Sequence, residues 1–446
     1  MYTNYILWYS IIRSYTNYIK KTFNLIKRRE KMSRIKKFMN LGKVIACAIL
    51  LNTLSATSIA GDDLVIGVPT NLSGPIGGAD HMDWLNGVNL AVSEINAAGG
   101  VNGRALRVEV VDTDILTPEG TVAAFQALIE KGSHAIASSF VLIPQVAMDA
   151  AASNGIPYMH GNTSVVSLEM VRDNPKKYRN IFQIDGDETW YGSGLINYLD
   201  SMNKDTEWNP INNKVHIVQG QIAYTQTVSK SAQEAIAASP NWELAKITDI
   251  AYPVADWAPI VKDLNDSGAG VIFISHWVAA ELASFAQQYA YDPVPGSLVY
   301  LQYGPSQPEF LELAAGAAEG MIWGSVIGNQ ADEQGMAFRK AYTEAYGENM
   351  GEVYTGSAYD TIYMLAKVWS EVPAEDFDAV GDAIRNLTYD GVSGTYTFNR
   401  ATQAPLVHPW QTADKSLGVT HLLYQVQDNQ HRIIMPLDMS QSTFRP

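Results

Sequence analysis

Few residues of this 446-residue chain are grouped in a way that could do chemistry. Asp185, Asp187 and Glu188 crowd into the stretch DGDET and could share protons as a general acid and base. They lie between a predicted strand and a predicted helix, where solvated or hinge-capping acids are the usual case. The eight histidines, from His81 to His431, are scattered, and no two stand four apart on a predicted helix. A metal site is therefore not expected. No phosphate-binding glycine loop, nucleophile elbow or HExxH zinc motif occurs. The single cysteine, Cys47, sits in an N-terminal apolar segment, which leaves the rest of the chain without disulfides, thiolate ligands or a thiol nucleophile. No cofactor and no catalysis are expected.

The chemistry on offer lies at the ends of strands. NLSGP, ASSFVL and MHGNTS follow strands of the first half, and GQIAYT, SHWVAA and LQYGPS follow strands of the second. The first three are rich in small polar residues, the last three in aromatic ones. In open α/β sheets a ligand binds outside the carboxyl ends of the strands. Such a lining suits a small solute held by hydroxyls and backbone amides on one side and by ring faces on the other.

The elements that must position these ends alternate. DLVIGVPT (63–70) reads as a strand, and Leu85, Val88, Val92 and Ile95 mark a helix that stops at Gly99-Gly100. Asn102-Gly103 is a turn, after which Leu106, Val108 and Val110 alternate with Arg107 and Glu109 as a strand with one buried face. The unit returns with a helix capped by Thr117-Pro118, a strand at HAIAS, a helix before Gly155 and a strand at IPYM. Beyond DGDET the alternation resumes, through strands KVHIVQ, LAKITDI, VIFIS, SLVYLQ and GMIWGS. Two α/β lobes with parallel sheets follow from this. Late helices over 333–346 and 356–371 carry aromatic stripes at helical spacing, including Phe338, Tyr342, Tyr346, Tyr359, Tyr363 and Trp369, which predict core packing.

Charge is unevenly placed. The net charge is −15, yet residues 1–60 hold eleven of the 31 Lys and Arg and one of the 46 Asp and Glu. A remainder this acidic argues against a nucleic-acid partner. MSRIKKFMNLGK and the apolar run after it, ending in Ser58-Ile59-Ala60, read as a secretory leader with cleavage before Gly61. The run is too short and interrupted to span a bilayer, which takes about 20 apolar residues. Met32 is the expected start, and lipidation at Cys47 is the second reading of the segment.

At these residues the chain resembles the type I periplasmic solute-binding proteins, and among them the branched-chain amino acid/amide-binding family of ABC importers. GVPTNLSGP with NGVNLAVSEINAAGGVNGRAL is similar to that family's opening, YPVADWAPIVKDLNDSGAGVIFIS to its second-lobe helix and strand, and SAYDTIYMLAKV to its late helix. The resemblance implies two Rossmann-like lobes, 61–184 with 326–393 and 185–325 with 394–446, joined by three crossovers near 184, 325 and 393. It implies a periplasmic monomer that captures a small-molecule solute and delivers it to an ABC permease in the inner membrane; a ligand-binding sensor of the same fold is the alternative. The family's serine/threonine cluster falls on Ser138 and Ser139, which continue here into FVLI rather than further hydroxyls. Its small-residue-then-threonine loop matches Gly161, Asn162 and Thr163. In the second lobe Tyr224 matches an aromatic position, Trp277 stands at a tyrosine position, and Tyr303 falls where the family places the acid for an α-ammonium. An amino acid, an amide, a small aromatic acid or a cation held by ring faces are the solutes this implies. For Trp277, packing under the next helix is the other reading.

Overall fold

Buried apolar runs and the helices between them set the architecture. β1 (Leu64–Thr70) has all seven residues buried, as a strand covered on both faces should. The computed structural model describes residues 62–74, 77–347 and 350–446, so the expected leader, with Met32, Cys47 and Ser58-Ile59-Ala60, lies outside the described residues. α1 (Gly78–Ala97) is tied to the next strand by Asn96, whose side chain accepts from the Leu106 N–H at 2.7 Å and donates to its carbonyl at 2.9 Å. β2 (Leu106–Asp112) departs from the expected alternation: only Leu106 is buried, because β2 is an edge strand. α2 (Pro118–Glu130) starts on the Thr117 cap, and β3 (Ala135–Ser138), α3 (Pro144–Asn154), β4 (Tyr158–His160), α4 (Val165–Asp173) and β5 (Ile181–Gln183) follow. Together they make a five-stranded parallel sheet in the order β2-β1-β3-β4-β5.

The second lobe repeats the scheme with α5 (Thr189–Asp205), β6 (Lys214–Gly220), α6 (Ala223–Ala238) and β7 (Glu243–Ile250). It continues through α7 (Ala258–Ser267), β8 (Val271–Ser275), α8 (Ala279–Tyr289), β9 (Leu298–Leu301), α9 (Phe310–Ala314) and β10 (Ile322–Ser325). The chain then returns to the first lobe, where α10 (Glu333–Tyr346) and α11 (Tyr354–Glu371) pack on α1. Gly87 makes that approach possible, since a Cβ there would stand 2.2 Å from the Thr355 carbonyl oxygen. Phe338 and Tyr342 are buried in this seam with Leu90, and the hydroxyls of Tyr359 and Tyr363 both donate to Glu94. Tyr346 is 43% exposed, so the stripe of α10 turns out of the core at its last turn.

α12 (Phe377–Asn386) leads into a sheet that the sequence did not foretell, made of β11 (Thr388–Gly391), β12 (Gly394–Thr397), β13 (Leu406–His408) and β14 (Gly418–Thr420). Its order is β11-β12-β14-β13. It rests on two of the passages between the lobes: the Gln183 N–H donates to the Gln403 carbonyl, the Gln330 N–H to Val392 and the Gly328 N–H to Thr420. β15 (Leu422–Gln427) and β16 (Gln430–Met435) then join the second sheet antiparallel, completing the order β16-β15-β10-β9-β8-β6-β7. Among the described residues no helix is long and apolar enough to cross a membrane.

Candidate functional site

Side chains from the carboxyl ends of the two sheets meet around Tyr354, in the first turn of α11, and this junction is the candidate cleft. Its ring stacks on Phe140 at 5.9 Å and meets Tyr303 edge-on at 6.2 Å and Trp84 at 6.2 Å. Its hydroxyl donates to the Gly161 carbonyl at 2.9 Å. Gly161 suits this close approach, because a Cβ would sit 3.0 Å from the Tyr354 ring and 3.1 Å from the Ser139 carbonyl and would push on both. Phe140, the first residue of the FVLI departure, therefore supplies a ring where hydroxyls were looked for.

The first-lobe residues divide into those facing the cleft and those behind it. Ser138 turns into the core, where its hydroxyl shares a 2.8 Å hydrogen bond with Tyr158. Ser139 is fully buried beside Gly161, and its Oγ has no hydrogen-bond partner among the described residues. Asn162 is a brace: its Oδ1 accepts from the Val141 N–H at 2.8 Å and its amide nitrogen lies 2.9 Å from His160 Nδ1. Thr163 has a left-handed φ of 50°, and both its N–H and its hydroxyl donate to the Asp185 carboxylate. The acids of DGDET are thus buried, not solvated as one of the two expectations had it. Asp187 caps Thr189, and Glu188 accepts from the Val165 N–H.

From the second lobe, Tyr303 reaches across the cleft and donates to Asp80 Oδ1 at 2.8 Å. Gln307 joins it, donating to Asp80 Oδ2 at 3.2 Å and to the Trp277 carbonyl at 3.0 Å. Asp80 lies in the first turn of α1, so this clamp bridges residues more than 220 positions apart. Tyr191, in the first turns of α5, meets the Tyr303 ring at 6.3 Å. Tyr224 stands in the first turn of α6 rather than in the loop before it; its hydroxyl accepts from Gln302 at 2.9 Å and its ring meets Trp277 at 6.2 Å. Trp277 is half-buried and stacks on Tyr252 at 5.4 Å. Thus Ser139, Gly161, Thr163 and Tyr303 gather around Tyr354, Tyr224 and Trp277 form the flank beside them, and Ser138 and Asn162 stand behind.

Sequence reasoning missed Asp80, Tyr191 and Tyr354, and of Asp185 it found only the hinge. The first three sit in opening turns of helices, and the signal that could have found them is that position on the sheet's binding side. Burial is the main reason that Asp80 is pushed up to about 7 and Asp185 to about 8, with hydrogen bonds from Tyr303 and Thr163 acting against it. Burial likewise lowers His81 and His160 to about 3, so both rings are neutral at physiological pH. The His81 Nδ1 accepts from the Asn71 N–H at 3.2 Å, which puts the ring proton on Nε2, a buried atom without a partner among the described residues. Two open cavities, of about 610 and 350 Å³, lie elsewhere, one beside Asn154 and Phe377 and the other beside Trp208 and Phe444. Neither is lined by any residue of this cluster.

A family model described as periplasmic binding protein matches residues 63–414. The leucine-, isoleucine-, valine-, threonine- and alanine-binding protein of Pseudomonas aeruginosa is 21% identical, over 79% of this chain and 90% of its own length. A solved structure from Silicibacter pomeroyi, described provisionally as a branched-chain amino acid ABC transporter, is 31% identical. It superposes with a TM-score of 0.80 over 86% of this chain and 99% of that one. A solute-binding protein of an ABC transporter of R. palustris, solved with benzoate, shares the fold at a TM-score of 0.66 and 15% identity, over 83% of this chain and 95% of that one.

Proposed function

The chain belongs to the periplasmic binding protein family, as a substrate-binding protein of the branched-chain amino acid ABC transporter type, and from that premise we propose that it captures a small polar organic solute between its lobes and delivers it to a membrane permease. The family implies an extracytoplasmic location; the leader and a monomeric state belong to the same proposal. One observation carries the reading to this cleft. Tyr303 and Gln307 of the second lobe grip Asp80 of the first, so polar groups that either lobe alone would leave to water are completed only when the lobes meet. A solute lying between Tyr354, Tyr303 and Thr163 would touch both lobes at once, and a ligand with contacts on both sides favours the closed arrangement over the open one.

The binding proteins described above differ in solute, from aliphatic amino acids to benzoate, so the family does not dictate the ligand of this chain. Small-angle scattering with and without a solute that raises the melting temperature tests the reading. The expected result is a smaller radius of gyration at saturation. An unchanged radius with a bound solute would remove the hinge-closing cleft as the site.

A further inference from the structure

The polar inventory of the cleft has one sign. Asp80 and Asp185 are 3% and 1% exposed, and among the described residues neither pairs with a lysine, arginine or charged histidine. The titratable groups that act on them from nearby are acids too, Asp83 and Glu309 around Asp80 and Glu188 around Asp185. The tyrosines of the cleft lie within the field of both carboxyls: Tyr354 and Tyr191 each feel Asp80 and Asp185. A buried carboxylate without a counter-charge is costly, and a cation brought in from outside removes that cost.

The donors point the same way. A ligand carboxylate needs N–H or O–H groups, but the N–H and hydroxyl of Thr163 are both spent on Asp185. Asn162 is likewise occupied, by Val141 and His160. An anion at Thr163 would lie against the Asp185 carboxylate, which fills the place the anion would need. Among the described residues, the groups left open here are neutral: the buried Ser139 Oγ beside Gly161, the Trp84 Nε1–H beside Tyr354, and the His81 Nε2–H, whose ring packs 4.9 Å from Phe140. Each can donate to an oxygen, and with two acids and no cation beside them the oxygen they favour is an uncharged one. Around them the Tyr303 ring lies 6.3 Å from that of Tyr191 and 6.2 Å from that of Tyr354, centroid to centroid, and an ammonium is attracted to the π faces of such rings.

We propose that the solute of this cleft is an organic ammonium ion carrying a neutral hydroxyl or amide oxygen and no carboxylate, seated among Tyr191, Tyr303 and Tyr354 with its charge between Asp80 and Asp185. This rests on the cleft being the solute site. Calorimetric titration of the purified protein at pH 7.5 with leucinamide, choline, leucine, 4-methylpentanamide and benzoate tests it. Leucinamide and leucine share a side chain and differ in the carboxylate; 4-methylpentanamide keeps the amide and lacks the charge. Leucinamide or choline should bind at least tenfold more tightly than the other three. Leucine, benzoate or the neutral amide binding as tightly as the cations would overturn the cationic ligand and leave the solute-binding cleft standing; silence from both cations would overturn it too, and the cleft itself stands or falls by the scattering experiment. In Asp80→Asn and Asp185→Asn, cation affinity should fall tenfold or more with the circular dichroism spectrum retained. Unchanged affinity in both variants would also end the proposal.

Discussion

Two regions of this molecule bury carboxylates and complete them differently. Next to the α10–α11 connection, Glu352 is held by the Arg339 guanidinium, with one of its hydrogen bonds at 2.8 Å and a second alongside. Burial would raise Glu352, but the charge and hydrogen bonds of Arg339 outweigh it and hold the acid below its ordinary range. Asp360, between α11 and the small sheet, accepts from the Val392 and Ser393 N–H groups and the Tyr396 hydroxyl at 2.9–3.0 Å, yet burial outweighs these bonds and pushes it up to about 7. In the cleft, Asp80 and Asp185 receive only neutral donors and sit far above the ordinary range. The contrast lies in the counter-charge. Glu352 is given a guanidinium and falls, whereas Asp360 and the two cleft acids are given neutral donors only and rise, so among these four acids of the described residues only Glu352 is completed by charge.

The largest effect should come from breaking the completed side. Arg339→Met leaves Glu352 buried without its counter-charge, and losing one partner of such a pair costs about 3–5 kcal/mol. Urea unfolding at pH 7.5 reads this, and solute affinity should change little because neither residue lines the cleft. The deficit should shrink toward pH 5, as Glu352 takes up a proton. A loss below about 1 kcal/mol at pH 7.5 would mean that the ion pair is not what completes this region.

The same contrast explains what the sequence could and could not tell. The long periodic segments were legible because a strand such as VIFIS, with all five residues buried, has one reading once helices flank it. The small sheet was not, since its strands are three or four residues long and are defined by their contacts with Gln183, Gly328 and Gln330 rather than by any pattern of their own. For the candidate site, Thr163, Trp277 and Tyr303 could be put forward because the architecture places ligands at strand ends. Asp80 reads locally as an ordinary first-turn acid, favoured there by the helix dipole. Only the packing of the lobes brings Tyr303 to it, and that distance of 223 residues leaves no local trace.

A middle-sized effect sharpens the comparison from the ligand side. Trp277 is half-buried and stacked on Tyr252, with its carbonyl held by Gln307. Trp277→Ala should weaken solute binding by about 2 kcal/mol, as loss of an aromatic anchor in a recognition site does, with modest loss of stability. If affinity is kept while unfolding costs about 3–5 kcal/mol, the residue is core and the flank of the cleft must be redrawn without it.

The smallest effect concerns the open side in the absence of solute, and its sign is opposite to that of Arg339→Met. Asp80 is raised from 3.8 to about 7 on folding, so between those values the folded chain holds a proton that the unfolded chain has given up. Its contribution to stability is complete below pH 3.8 and is lost as the pH climbs toward about 7. Asp185 extends the loss to about 8. The buried histidines work against this below pH 6.5, because the unfolded chain then binds protons that His81 and His160 refuse. Comparing Asp80→Asn with the parent chain cancels the histidines. Asparagine keeps an acceptor for the Tyr303 hydroxyl but loses one for Gln307, which offsets much of the gain from removing the charge. The net should be a stabilisation of about 1 kcal/mol at pH 8, shrinking to nothing or reversing at pH 4 and levelling above pH 7. Thermal unfolding of both chains from pH 4 to 8.5 would show it. If Asp80→Asn is equally destabilised at every pH, Asp80 is no less complete than Glu352 and the distinction between the two regions fails.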